Sequence, residues 1–209
     1  MPKDYQLSTA SQLLKYKKII NGLEAGLGKT AITIMACEYA SKKTVIVCPA
    51  SVKYHWEKEI YQINPNANVV VLNGKSKWDN ADYVILNYDI LDRFFDDIIN
   101  SDIEIVVFDE AHKIRGVNNS GNPTSKRAKY SIQIADRMEY VFPITATPYI
   151  NQTKDIFNLL KVIKHPIANN WYRFANTYCN PQRTRFGTSY NGSSNQKQLN
   201  ERLYPFFIF

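Results

Sequence analysis

The chain has 209 residues, 44% of them hydrophobic, which is enough for one large or two small globular units and argues against a disordered chain. Lysine and arginine exceed aspartate and glutamate by seven, with Lys126, Arg127 and Lys129 close together and Arg183 and Arg185 further on; this suits a polyanionic partner or plain solubility. Three scattered cysteines, Cys37, Cys48 and Cys179, with no CxxC pair, predict a reduced intracellular protein and exclude a zinc site.

The start, Met1-Pro2-Lys3-Asp4, is polar and carries no secretory signal. No apolar run is long enough to cross a bilayer, so a soluble protein without a membrane partner is expected. Such a protein is cytoplasmic in a prokaryote or virus and nuclear in a eukaryote. After Tyr5-Gln6, the spacing of Leu7, Ala10, Leu13 and Leu14 predicts a short helix over 7–16. A short apolar run from Ile19-Ile20 to Leu23 reads as a strand, and 31–40 as a helix. Next comes Thr44–Cys48, a continuous apolar run of the kind buried on both faces, stopped by Pro49. Ser51 is expected to cap a helix whose Val52, Trp56 and Ile60 form one buried stripe, which assigns Trp56 to the core.

Strands are predicted over 69–72, 83–87 and 103–109, with an amphipathic helix over 90–99 between the last two. A helix over 125–138, a strand over 140–145 and a helix over 153–163 follow. Trp171, Phe174 and Tyr178 recur at helical spacing and predict a helix packed on the rest, rather than a stacking platform for single strands. The polar stretches 116–124 and 187–195 read as surface loops. Alternating strands and helices predict an α/β fold, a mainly parallel sheet with helices on both faces that binds ligands at the carboxyl ends of its strands.

Two stretches carry chemistry. Leu23-Glu24-Ala25-Gly26-Leu27-Gly28-Lys29-Thr30 stands between a predicted strand and a predicted helix, the context of a phosphate-binding loop. Gly26 and Gly28 let backbone N–H groups around Leu27 converge on an anion, and the following helix adds its positive end. Lys29 would reach the β- and γ-phosphates and the Thr30 hydroxyl would ligate Mg²⁺. The strict pattern asks for glycine where this chain has Leu23. The second stretch is Asp109-Glu110-Ala111-His112, at the end of the apolar run 105–108. A strand ending in paired carboxylates delivers them to the rim where the loop lies. Asp109 would hold Mg²⁺ partly through water, and Glu110 would deprotonate the attacking water.

Together these stretches resemble the first RecA-like lobe of a superfamily 2 helicase, and in detail its Snf2 branch. Gly26-Leu27-Gly28-Lys29-Thr30 is similar to motif I, and Cys48-Pro49-Ala50-Ser51 with Trp56 and Glu59-Ile60 to motif Ia and its helix. Asp109-Glu110-Ala111-His112-Lys113-Ile114 is similar to motif II, and Thr145-Ala146-Thr147-Pro148 with Asn151 to motif III. Tyr178-Cys179, Arg183, Phe186-Gly187, Tyr190 and Gly192-Ser193-Ser194-Asn195 resemble a segment of the annealing-helicase, fork-remodelling subgroup.

The resemblance implies ATP and Mg²⁺ as cofactors, double-stranded or branched DNA as partner, and translocation on duplex DNA as the activity. It implies that Gln6 reads adenine, that His112, Thr145 and Thr147 couple hydrolysis to DNA contact, and that Ser51, Lys53, Lys113 and Lys126 touch DNA. It divides the chain into an ATP-binding lobe over 1–165 and a helical and loop extension over 166–209. A second RecA-like lobe is expected beyond the apolar end Ile208-Phe209, so the chain reads as a fragment. Two other readings stay open: a non-catalytic DNA-binding or scaffold module of the same fold, and a P-loop enzyme acting on a small molecule.

Overall fold

The computed structural model describes residues 2–146, 152–185 and 187–208. Helix α1 (Asp4–Tyr16) leads to β1 (Ile20–Asn21), α2 (Lys29–Ala40), β2 (Thr44–Cys48), α3 (Lys53–Ile63) and β3 (Val69–Val71). The chain continues through β4 (Tyr83–Asn87), α4 (Phe95–Asn100), β5 (Ile105–Phe108), α5 (Lys126–Arg137), β6 (Tyr140–Pro143) and α6 (Phe157–Val162). It closes with α7 (Trp171–Tyr178), a hairpin of β7 (Gln182–Thr184) and β8 (Gly187–Ser189), α8 (Gln196–Leu203) and β9 (Phe207–Ile208).

Five strands form one parallel sheet in the order β3-β4-β2-β5-β6. Bridges Lys18 to Val141 and Asn21 to Ile144 carry β1 alongside β6 in the same sense, and β9 pairs in parallel with β1. Parallel neighbours need crossovers, and the crossover helices cover both faces. Side-chain alternation sorts the strands between two cores. Val45, Val47, Val84, Leu86, Val106, Phe108 and Val141 face a layer that includes Ile98 of α4, Ile134 of α5, Leu160 of α6, Phe174 of α7 and Leu199 of α8. Ile46, Cys48, Ile85, Ile105, Val107 and Phe142 face Ala10 and Leu13 of α1, Ile32 and Ala36 of α2, and Trp56 and Ile60 of α3.

The expected α/β architecture, a mainly parallel sheet with helices on both faces, is therefore the observed one. Several boundaries differ. Helix α1 starts at Asp4, where Gln6 Oε1 accepts from Lys3 N at 2.9 Å, so Tyr5 and Gln6 lie in its first turn rather than ahead of it. Ser51 caps nothing: a 3-10 turn over Ala50–Val52 intervenes, and α3 begins at Lys53 without a side-chain cap. The helix expected over 90–99 is reduced to α4, preceded by a 3-10 turn at Tyr88–Ile90. The stretch 187–195 opens with a strand, because it pairs back on Gln182–Thr184.

Residues 166–185 and 187–208 are anchored at several points. Trp171 and Phe174 pack on Phe157, with ring centroids 4.8 and 5.0 Å apart. Thr153 Oγ1 donates to Ser193 Oγ at 2.7 Å. Phe207 covers Gly22: a Cβ there would come within 2.0 Å of the Phe207 ring, and Gly22 N donates to Ile208 O at 2.8 Å. All three cysteines are free and buried. No helix among the described residues is long and apolar enough to cross a membrane.

Candidate functional site

Because β1, β2, β4, β5 and β6 run in one direction, whatever follows each of them emerges on one rim. The loop over 22–28 follows β1, Ser51 follows β2, Tyr88 follows β4, Asp109-Glu110 follows β5 and Thr145 follows β6.

The loop is built on two left-handed glycines, Gly26 at φ 84° and Gly28 at φ 75°, a conformation that costs glycine little. Gly28 caps α2, and Ile32 N donates to its carbonyl at 2.9 Å. Leu23 is buried against the core that includes Ile19 and Ile32, so a large apolar residue there has a packing role. Lys29 Nζ donates to Leu23 O and Glu24 O, both at 2.9 Å, which ties the ammonium across the base of the loop. Thr30 follows it in the first turn of α2. The first turn of α1 lies over this loop: Tyr5 OH donates to Leu27 O at 3.2 Å, and a Cβ at Gly28 would stand 2.7 Å from Gln6 Nε2.

The carboxylate pair is held from several directions. Asp109 Oδ2 accepts from Trp56 Nε1 at 2.9 Å and Oδ1 from Glu110 N at 2.9 Å. Tyr88 OH donates to Asp109 O at 2.8 Å. Burial pushes the Asp109 carboxyl above the usual carboxylate range, against the pull of the Trp56 and Glu110 donors and the Lys29 charge. Burial likewise raises Tyr88, which keeps its phenol a donor.

Glu110 sits at φ 49°, ψ 50°, a left-handed conformation that costs a non-glycine residue roughly 1 kcal/mol or more. Its neighbours hold it there: Lys113 N donates to Glu110 O at 2.9 Å and Ala111 N to Ile144 O at 2.8 Å. The result is a half-exposed carboxylate turned off the strand end. His112 Nδ1 stands 3.1 Å from Glu110 Oε2, within ion-pair distance but without hydrogen-bond geometry.

Strand β6 joins the two halves of the rim. Ile144 N donates to Phe108 O at 2.8 Å on the acidic side, and Thr145 N to Asn21 O at 3.1 Å on the loop side. Thr145 is buried. Thr147, with Pro148 and Asn151, lies outside the described residues.

The residues expected to meet DNA are not all alike. Ser51 is exposed on the turn after β2. Lys113 and Lys126 line one surface cavity with Tyr88 and His112, and Lys126 lies 3.4 Å from Asp92. Lys53 is a correction: it is buried, and its ammonium donates to Leu72 O at 2.7 Å. The stripe Val52, Trp56, Ile60 turns that part of α3 toward the sheet, and Lys53 goes with it, so it is unavailable to a phosphate.

Trp171, Phe174 and Tyr178 are buried, as their spacing predicts. Several residues of the subgroup-like segment act in packing: Ser194 N donates to Tyr178 O at 2.9 Å and Asn195 Nδ2 to Thr177 O at 2.7 Å, tying down the end of α7.

Two side chains that hold Asp109 were not linked to it by the sequence. Trp56 was correctly placed in the core, but a buried indole N–H demands an acceptor, and that requirement points to a carboxylate at the rim. Tyr88 carried its own signal, a phenol directly after a buried strand that ends on the same rim as Asp109.

A SWI/SNF-related matrix-associated actin-dependent regulator of chromatin subfamily A-like protein 1 homolog of Caenorhabditis elegans is 26% identical over 190 residues, covering 87% of this chain and 27% of that protein. The mouse DNA annealing helicase and endonuclease ZRANB3 is 25% identical over 202 residues, 88% of this chain and 18% of its own length. The chain thus spans about a quarter or less of these relatives. The Sulfolobus solfataricus SWI2/SNF2 ATPase core in complex with dsDNA superposes with a TM-score of 0.80 at 22% identity, covering 99% of this chain and 43% of that one. The SNF2-related domain matches residues 5–208, nearly the whole chain, and the chain belongs to that family.

Proposed function

We propose that the chain is the ATP-binding lobe of a Snf2-like DNA-dependent ATPase that translocates on duplex or branched DNA, remodelling or annealing it rather than simply unwinding it. One observation carries the reading. The Lys29 loop and the Asp109-Glu110 pair stand on one rim of a parallel sheet, bridged by backbone hydrogen bonds through Ile144 and Thr145.

In this reading the 26–30 amides and Lys29 bind the phosphate chain of ATP, which draws the ammonium from the Leu23 and Glu24 carbonyls. Gln6, beside Gly28, reads the adenine edge with its amide. Glu110 orients the water and takes its proton, and the left-handed turn at its Cα aims the carboxylate away from the strand. Mg²⁺ fits the donor set: a Thr30 hydroxyl and one Asp109 carboxylate are hard oxygen ligands, few in number, as suits an ion that keeps most of its water. When bound, the ion neutralises charge developing on the phosphate oxygens. Trp56 and Glu110 N hold Asp109 in the orientation that ligation needs.

His112 relays the state of Glu110, and Thr145 with Thr147 passes it toward the DNA. Ser51, Lys113 and Lys126 contact phosphates, which gives affinity without sequence preference. Residues 1–165 form the lobe proper and 166–209 its extension, within an intracellular protein. A second RecA-like lobe closes on the same nucleotide and supplies the transition-state arginine.

ATP hydrolysis measured with and without duplex DNA, at several salt concentrations, tests this. The chain alone is expected to bind nucleotide weakly and turn it over very slowly, and a protein containing the second lobe to be stimulated by DNA. Robust DNA-stimulated turnover by the chain alone would contradict the two-lobe reading. Turnover indifferent to both DNA and salt would favour a small-molecule enzyme.

A further inference from the structure

Behind the acidic pair lies a surface cavity of about 550 Å³, between the turn after β4, the 3-10 turn Ala111–Ile114 and the start of α5. Four basic side chains line it, Lys113, Arg115, Lys126 and Arg127, against two acidic ones, Asp89 and Asp92. The acids are taken: Asp89 pairs with Arg127 and Asp92 with Lys126. Lys113 and Arg115 make no ion pair among the described residues. Arg115 Nη1 is buried and has no hydrogen-bond partner among the described residues, and a guanidinium N–H withdrawn from water is costly unless an acceptor meets it. Ser125 caps α5 on the same wall, accepting from Ala128 N at 3.2 Å, and the positive end of a 12-residue helix faces the cavity mouth.

The cavity shares two walls with the acidic pair. His112 lines it, and its Nδ1 stands 3.1 Å from Glu110 Oε2. Tyr88 lines it, and its hydroxyl holds Asp109 O at 2.8 Å. A group entering the cavity therefore comes beside the two side chains that reach the acidic pair, Tyr88 at the Asp109 backbone carbonyl and His112 next to the Glu110 carboxylate.

We propose that Arg115 anchors an anion subsite that takes one backbone phosphodiester of duplex DNA, and that its occupancy is transmitted to Glu110 through His112. The inference rests on the reading of the chain as a DNA-dependent ATPase lobe. It adds a residue, Arg115, and a route from DNA to the water-activating carboxylate. A guanidinium suits this task better than an ammonium, because its planar fork meets two phosphate oxygens at once. The phosphate is bound without contact to a base, so the subsite is indifferent to sequence.

The test uses a fluorescently labelled random-sequence duplex, titrated with the chain at a series of salt concentrations, beside Arg115→Gln, Arg115→Lys and Lys113→Gln. Losing one phosphate contact lowers the slope of log affinity against log salt by about 0.9, roughly an eightfold loss near 0.1 M salt. Arg115→Gln is expected to show that loss, and Arg115→Lys to regain part of it. Should Arg115→Gln misfold, as judged by near-ultraviolet circular dichroism, Arg115→Lys carries the test, because it keeps the charge and loses the fork: affinity equal to wild type would then overturn the subsite, while Lys113→Gln reads the neighbouring contact separately.

The route is read separately by nitrogen-15 NMR of the imidazoles, of which the chain has three. Duplex should shift the His112 signal in the wild type and leave it unmoved in Arg115→Gln. A wild type that binds duplex with the same affinity and salt slope as a folded Arg115→Gln overturns the subsite. A His112 shift that survives in Arg115→Gln overturns the route. A wild type with no affinity for duplex at low salt overturns the reading of the lobe itself, and the subsite with it.

Discussion

Trp56 and Asp109, 53 residues apart in the chain, are joined by an indole N–H donating to a carboxylate at 2.9 Å. The bond links the helix after β2 to the end of β5, so the core packing of α3 and the orientation of the acidic pair are one structural fact. A carboxyl that burial has pushed upward keeps its charge partly through this donor.

Trp56→Phe keeps the ring and removes the donor. It leaves one Asp109 oxygen without its partner, a loss of about 1–3 kcal/mol in stability to denaturant. The Asp109 carboxyl should also titrate still higher, which carbon-13 NMR of the carboxyl resonance would follow. An unchanged denaturation midpoint and titration would show that the indole contributes only bulk.

Lys29→Ala and Glu110→Gln should separate binding from chemistry. Removing the ammonium should weaken binding of a fluorescent ATP analogue by tenfold or more, as loss of a charge-assisted contact of about 1.5–3 kcal/mol requires. Glu110→Gln keeps shape and removes the base, so binding should persist while hydrolysis by the protein with both lobes falls by about 10²–10⁴. Equal loss of affinity in both variants would sink the role given to Glu110.

Gln6→Ala bears on base choice. If the amide beside Gly28 pairs with the adenine edge, its loss should lower affinity for ATP by about tenfold, one hydrogen bond's worth, and leave GTP affinity nearly unchanged. Parallel titrations with ATP and GTP analogues decide it. A preference for ATP that survives the substitution would assign the selection to other residues.

His165 predicts a pH dependence of stability. Its Nδ1 accepts from Ile167 N at 3.2 Å, so Nε2 carries the proton and donates to Arg202 O at 3.1 Å. Burial holds its pKa below the ordinary value of 6.5. The unfolded chain thus takes up the proton first as pH falls. The stability contributed by neutral His165 is present above pH 6.5 and is lost as pH drops from there toward the folded value. Melting temperature should decline over that window in the wild type and decline less in His165→Asn. Identical profiles would locate the acid sensitivity elsewhere.

Much of the fold was legible in one dimension because its signals are local. Thr44–Cys48 and Tyr83–Asn87 are apolar throughout because both faces of a central parallel strand are covered, and the string records that directly. The two glycines and Lys29 announce a loop whose backbone needs positive φ, and Asp109-Glu110 announces a strand end. The boundaries that slipped, at Ser51 and over 90–99, are places where a 3-10 turn replaced regular helix.

By itself the sequence determined the strand and helix alternation, the glycine loop ahead of α2 and the acidic pair, since each depends on residues adjacent in the chain. Only the tertiary structure decided which neighbours those groups acquire. It set the Trp56 indole on Asp109, buried Lys53 on the Leu72 carbonyl, laid Gln6 against Gly28, and placed Arg115 and His112 around one cavity behind Glu110. Those pairings join residues far apart in the chain. They depend on strand order and on which way each helix turns its face, quantities set by the burial of two cores together.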